Sequence, residues 1–224
     1  MGTLRDPSEY YTSSPPVVIG VDFGKQVDPT AIVVTEAIKV DRPGLRPEYR
    51  FEARHLERLP LGTGYLDVGK RVAAVVRGIE ARPVPNFTWP PRITVVVDAT
   101  GVGVSAADIV RDALHGTRAK LVTATFTHGE TFTRKSYREW SVGKGFLVKR
   151  LQALFQTQRI KLPADHPEAA AMTRELVDFE VKVDPDGDAK FGAFKVGTHD
   201  DLASALGLAV LVDPNQGGGA WATY

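Results

Sequence analysis

The 224-residue sequence contains no cysteine. Disulfides and thiolate metal sites are thereby excluded. A bound metal would have to be held by oxygen or nitrogen from Asp, Glu or His, a donor set that suits magnesium or manganese. Long apolar runs are missing too. None approaches the roughly 20 residues that a membrane-spanning helix requires, and the opening "MGTLRDPSEYYTSSPP" lacks the apolar stretch of a signal peptide. Together these absences point to a cytoplasmic protein with no membrane partner. Nor is there a strong net charge. The formal value is +1, so composition as a whole announces no polyanionic partner.

What is present suffices for one domain with a core: 43% of residues are hydrophobic and 25% charged. The charge is unevenly placed. Between residues 134 and 161, Arg134, Lys135, Arg138, Lys144, Lys149, Arg150, Arg159 and Lys161 stand against a single acid, Glu139, whereas between 164 and 190 eight acids stand against three bases. A basic segment of that density attracts polyphosphate, although a solvated helix face would carry the same charges.

Residues 1–16 read as a flexible lead-in and 214–224 as a flexible tail, leaving 17–213 as the folded domain. The β-branched runs at 17–21 and 31–38, separated by a turn with Gly24 and Asp28-Pro29, predict an antiparallel hairpin, and 49–59 alternates as a third strand. Val68, Val72, Val75, Val76 and Ile79 then fall at helical spacing. In "RITVVVDATGVGVSAADIVRDALHG" a continuous apolar strand runs into an acid, two glycines and a helix with Val102, Ala106, Ile109, Val110 and Ala113 inward. "AKLVTATF" predicts another strand, residues 146–158 and 167–179 predict helices around a short "RIKLP" edge, and two strands flank "DPDGD". "HDDLASALGLAVLV" closes the fold as a helix. This order predicts an α/β fold: a mixed central sheet with antiparallel leading strands and helices on both faces.

Three motif-like stretches lose on inspection. "GYLDVGKR" fits Gly-x4-Gly-Lys but has Arg71 where a P-loop needs Ser or Thr, and no buried strand ends just before it. "GVGVSA" has a dinucleotide-loop spacing, yet Asp98 would set a carboxylate beside the pyrophosphate. "DPDGD" has its glycine too early for a calcium loop, and Lys195 stands where the closing Glu belongs, so it reads as a hairpin turn.

Four acids remain. Asp22 ends the first strand, Asp98 ends a central strand, and Asp200 and Asp201 open the last helix. Each alone has a plainer role as a cap, or as a charge favoured by the helix dipole at about 0.3–1 kcal/mol. Taken together, acids at the mouths of two buried strands and of a helix packed on them would converge, and such a cluster needs a cation to neutralise it. Two divalent ions about 3.5–4 Å apart, bridged by one carboxylate, would activate water and stabilise the leaving oxygen of a phosphodiester.

"VVIGVDFG…DPTAIVV", "ITVVVDATGVG" and "GTHDDLASALGLAV", with "WSVGKGFLVKRLQALFQTQRIKLP" before the last, resemble the C-terminal nuclease domain of the phage terminase large subunit. The resemblance extends over residues 17–213. It implies a ribonuclease H-like fold and endonucleolytic cleavage of double-stranded DNA with two magnesium or manganese ions during viral genome packaging. By position, Asp22 resembles the metal-bridging acid, Asp98 the second ligand and Asp201, assisted or replaced by Asp200, the third. Asp28 resembles an accessory acid acting through water, and His199 an orienting residue. Lys144 and its basic neighbours Arg134, Lys135, Arg138, Lys149 and Arg150 resemble a DNA-contacting segment. Full terminases also carry a packaging ATPase with a true P-loop, which these residues do not supply. The expectation is therefore an excised nuclease domain, or a free-standing nuclease, monomeric in isolation. In a terminase its partners would be the ATPase domain, the small subunit and the portal, in the host cytoplasm. Two other classes compete: an actin-like or sugar-kinase-like phosphotransferase, whose first phosphate loop "VVIGVDFG" also resembles, and a non-catalytic nucleic-acid binding module.

Overall fold

The computed structural model describes residues 14–24, 28–40, 48–83, 90–101, 103–183, 189–192 and 200–212. The expected lead-in up to residue 13, Val102, the "DPDGD" turn, Thr198, His199 and the tail lie outside them. Strand β1 (Val17–Asp22) pairs antiparallel with β2 (Ala31–Val40), and β2 with β3 (Glu48–Arg58), as the β-branched runs predicted. On its other side β1 pairs parallel with β4 (Ile93–Asp98), which pairs parallel with β5 (Lys120–Thr127). Central strands flanked by covering helices can be apolar throughout, and Ile93, Val95, Val96 and Val97 are all buried.

The segment after β5 departs from expectation. Residues read as a basic run fold as a short hairpin, β6 (Phe132–Arg134) with β7 (Glu139–Gly143), and β7 extends the sheet parallel to β5. With β8 (Ile160–Lys161) beside β3, the eight-stranded order is β6-β7-β5-β4-β1-β2-β3-β8. Strands β9 (Glu180–Val183) and β10 (Ala189–Gly192) form a separate antiparallel pair.

Among the described residues, five helices cover the sheet. On one face α1 (Tyr65–Ala81) and α2 (Gly103–Ala113) bury Val68, Val72, Val76, Ala106 and Val110 against Val17, Ile19, Val21, Val95 and Val97. The other face carries α3 (Lys144–Gln156), α4 (Ala169–Asp178) and α5 (Asp201–Ala209). Helix α5 is buried on every side from Asp201 to Ala209, which explains its apolar sequence. Its backbone touches that of β1. A Cβ on Gly20 would lie 1.9 Å from the Ala205 carbonyl oxygen and 2.7 Å from the Ala209 nitrogen. No other residue fits there, because any side chain would start inside α5. Among the described residues no helix is long and apolar enough to cross a membrane.

Candidate active site

Strand alternation places the acids. Val17, Ile19 and Val21 face α1 and α2, so Val18 and Gly20 face α5, and Asp22 follows them to that side. On β4, Val95 and Val97 take the first face and Val96 the second, so Asp98 also points to the α5 side. The register Gly20↔Val96 and Val21↔Val97 makes the two aspartates ends of neighbouring parallel strands, whose spacing is about 4.8 Å. Asp201 lies one turn before the Ala205 contact with Gly20, and α5 thereby delivers it to the same mouth.

The electrostatics follow from that convergence. Asp22 has its pKa raised well above the ordinary carboxylate value of 3.8. Loss of hydration is the largest cause, followed by the negative charges of Asp98, Asp201 and Asp200, with Lys144 acting in opposition. Asp22 keeps partial solvent contact at the residue level, while Asp201 is buried. At the start of α3 the Lys144 ammonium lies 3.8 Å from an Asp200 carboxylate oxygen and 5.7 Å from the centre of the Phe126 ring. Lys144 thus offsets part of the negative charge gathered there.

Asp200 occupies the N-cap position of α5 but makes no side-chain capping bond. The cap comes from elsewhere. Buried Glu175 of α4 accepts the Ala203 backbone N–H at 3.0 Å and an Arg58 guanidinium N–H at 2.6 Å, and Glu168 lies 3.5 Å from the same arginine. Burial raises the Glu175 pKa, the α5 amides and Arg58 pull it back, and nearby Asp200 pushes it up again. In sequence Glu175 was one acid among eight. No local signal marks it, because its partners sit on other elements.

Asp98 is held by its own turn. Its Oδ1 accepts the Thr100 backbone N–H at 2.8 Å and the Thr100 hydroxyl at 2.5 Å. The plainer reading of Asp98, an acid that closes the next turn, is therefore part of what it does. The glycines that gave "GVGVSA" its nucleotide-loop look serve this bend: Gly101 has φ +62°, and a Cβ on Gly103 would lie 2.3 Å from the Asp98 carbonyl oxygen. Asp28 sits in the loop that folds back on the β1 end, where a Cβ on Gly24 would meet the Asp28 carbonyl at 2.2 Å.

The basic residues do not gather as the acids do. Arg134 shares a cross-sheet row with Trp140, Ala124 and Asp98, so two strands lie between it and the acid, and its guanidinium lies 5.2 Å from the Trp140 ring centre. Desolvation there lowers its pKa. Lys135 and Arg138 occupy the hairpin turn, where Arg138 stacks at 5.0 Å on exposed Tyr137. Lys149 pairs with Glu130 at 2.6 Å, and Arg150 points inward, donating to the Val210 carbonyl at 2.7 Å. Lys144 is set against the acids, facing Asp200 and acting on Asp22.

The donor set is all oxygen, which suits a hard divalent cation. Among the described residues no three side chains are drawn together closely enough to hold an ion as they stand. The fit therefore rests on donor chemistry and on the negative field at Asp22.

A mixed sheet with antiparallel β1–β3, parallel β1, β4 and β5, and helices on both faces defines a ribonuclease H-like α/β fold. Solved structures that share it include terminase nuclease domains. The magnesium-bound large terminase nuclease of thermophilic phage G20c is 22% identical, covers 90% of this chain and 83% of its own, and superposes with a TM-score of 0.57. The nuclease domain of the large terminase subunit gp2 of bacterial virus Sf6 is 14% identical over 88% and 89% of the two chains, with a TM-score of 0.56. The manganese-soaked human cytomegalovirus terminase nuclease domain is 13% identical over 93% and 87%, with a TM-score of 0.53. At these identities the likeness is one of fold. No family model and no curated protein sequence matches the chain.

Proposed function

We propose that this chain is a metal-dependent endonuclease that hydrolyses phosphodiesters of double-stranded DNA, acting as a terminase nuclease domain in viral genome packaging. The observation that carries this reading is the convergence of three acids on one mouth of the sheet: Asp22 and Asp98 end neighbouring parallel strands, and α5, in backbone contact with β1, brings Asp201 to them, a crowding that raises the pKa of Asp22. The nuclease folds that superpose on the chain include forms with magnesium and manganese, which supports the same metals here.

In this reading Asp22, Asp98 and Asp201 hold two divalent ions, magnesium or manganese, with Asp200 assisting and Asp28 reaching in through water. Bound cations supply Lewis acidity to the scissile phosphate and its attacking water. The chain's own contribution is placement. Two acids are fixed by parallel-strand pairing, a third by a helix in backbone contact with β1, and Lys144 offsets part of their repulsion. Lys144, with Lys135 and Arg138 further along the sheet edge, contacts DNA phosphates, so binding weakens steeply with salt. A packaging ATPase domain, a small subunit and a portal are the partners of such a domain, which works as a monomer in the host cytoplasm.

The test is cleavage of plasmid DNA by Asp22→Asn in magnesium and in manganese. Activity is expected to fall by more than roughly 100-fold with folding and DNA binding kept. Wild-type cleavage by the variant would overturn the proposal. ATP turnover without DNA would favour the phosphotransferase, and tight DNA binding by the wild type without cleavage in either metal would favour a non-catalytic module.

A further inference from the structure

We infer that Thr100 is a positioning residue for Asp98: its hydroxyl ties one oxygen of that carboxylate to the end of β5 and so fixes the orientation in which Asp98 meets a divalent cation. The inference rests on the proposed metal-dependent reading of the site. Thr100 Oγ1 accepts the Phe126 backbone N–H at 2.8 Å, and Phe126 belongs to β5. That bond occupies a lone pair on the hydroxyl, leaving its single proton to be donated elsewhere. Asp98 Oδ1, at 2.5 Å, accepts it, and the Thr100 backbone N–H reaches the same oxygen at 2.8 Å.

Both donors converge on Oδ1. Oδ1 is thus tied both to the turn that follows Asp98 and, through the Thr100 hydroxyl, to β5, which fixes the orientation of the carboxylate. Groups that orient a metal ligand in this way typically change metal affinity or activity when removed. The Asp98 backbone needs no such help: Ala99 N–H already bonds the Ala124 carbonyl at 2.8 Å, and β4 is paired on both sides. The hydroxyl therefore acts on the side chain.

The test compares wild type with Thr100→Ser, Thr100→Val and Asp22→Asn, by calorimetric titration of manganese into DNA-free protein and by plasmid cleavage across manganese concentrations. Thr100→Val is expected to weaken manganese binding by roughly 10–100-fold and to move the manganese dependence of cleavage in parallel. Thr100→Ser, which keeps the hydroxyl, should match wild type in both. Where Thr100→Val does not fold, Thr100→Ala, which opens space instead of crowding the turn, takes its place with the same expectation. Wild-type manganese binding by the hydroxyl-free variant overturns the assignment, and so does a Thr100→Ser protein as impaired as Thr100→Val. If Asp22→Asn itself binds manganese and cleaves as wild type does, the nuclease reading falls and this inference with it. If Asp22→Asn is inactive while Thr100→Val is indistinguishable from wild type, only the role of Thr100 falls.

Discussion

The acids and the bases of this chain behave in opposite ways. Asp22, Asp98 and the Asp200–Asp201 pair are far apart in sequence and share one electrostatic neighbourhood, whereas the basic residues between 134 and 150 are close in sequence and part company on folding. Each acid ends an element of fixed direction, and parallel strands with a crossing helix carry such ends to one place. The bases sit along a hairpin and a helix, whose side chains fan out by geometry. Proximity in sequence is thus a poor guide to a shared surface, and position at an element's end is a better one.

That contrast can be broken most severely at Gly20. Gly20→Ala puts a methyl inside the α5 backbone and should cost about 3 kcal/mol, read as a fall in the urea midpoint. Asp201 should lose its place and cleavage should be lost with it. Next comes Glu175→Ala, which leaves the Ala203 N–H without its acceptor and takes from Arg58 the nearer of its two carboxylates. A loss of about 1.5–3 kcal/mol is expected by denaturant titration, with weakened manganese binding because α5 begins less firmly.

A smaller effect is expected from pH. With its pKa raised, Asp22 takes up a proton in the folded protein before it does so in the unfolded chain. The penalty for its charge is complete at high pH and is relieved as pH falls through the raised value towards 3.8, below which both states are protonated and the relief is complete. In chelator, the stability gap between Asp22→Asn and wild type should therefore be widest near neutrality and shrink on acidification, as paired urea melts would show. A constant gap would mean that Asp22 feels no crowding. The smallest effect belongs to Lys149→Ala. Its exposed pair with Glu130 should be worth less than about 1 kcal/mol, and the salt dependence of DNA binding should stay put, whereas Lys144→Ala should lower that slope by about 1.

Much of the fold is legible in the residues, and the reasons are local. Val17 to Asp22 and Ile93 to Asp98 read as buried strands because apolar β-branched runs end in an acid, and α1 and α2 show their inner faces by period. The hairpin of β6 and β7 is hidden because three- and five-residue strands give too short a pattern and a basic run masks them. Glu175 and Thr100 are hidden for a different reason. Their roles depend on partners across the fold, Ala203 with Arg58 and Phe126, and no spacing in the chain foretells such pairs.

The Gly20 contact leaves the β1–α5 joint without slack. A helix pressed backbone to backbone against its strand cannot slide or roll to retune the distance between the acids each one carries. If the acids hold the proposed ions, this joint keeps the spacing between Asp22 and Asp201 the same whatever arrives at the mouth.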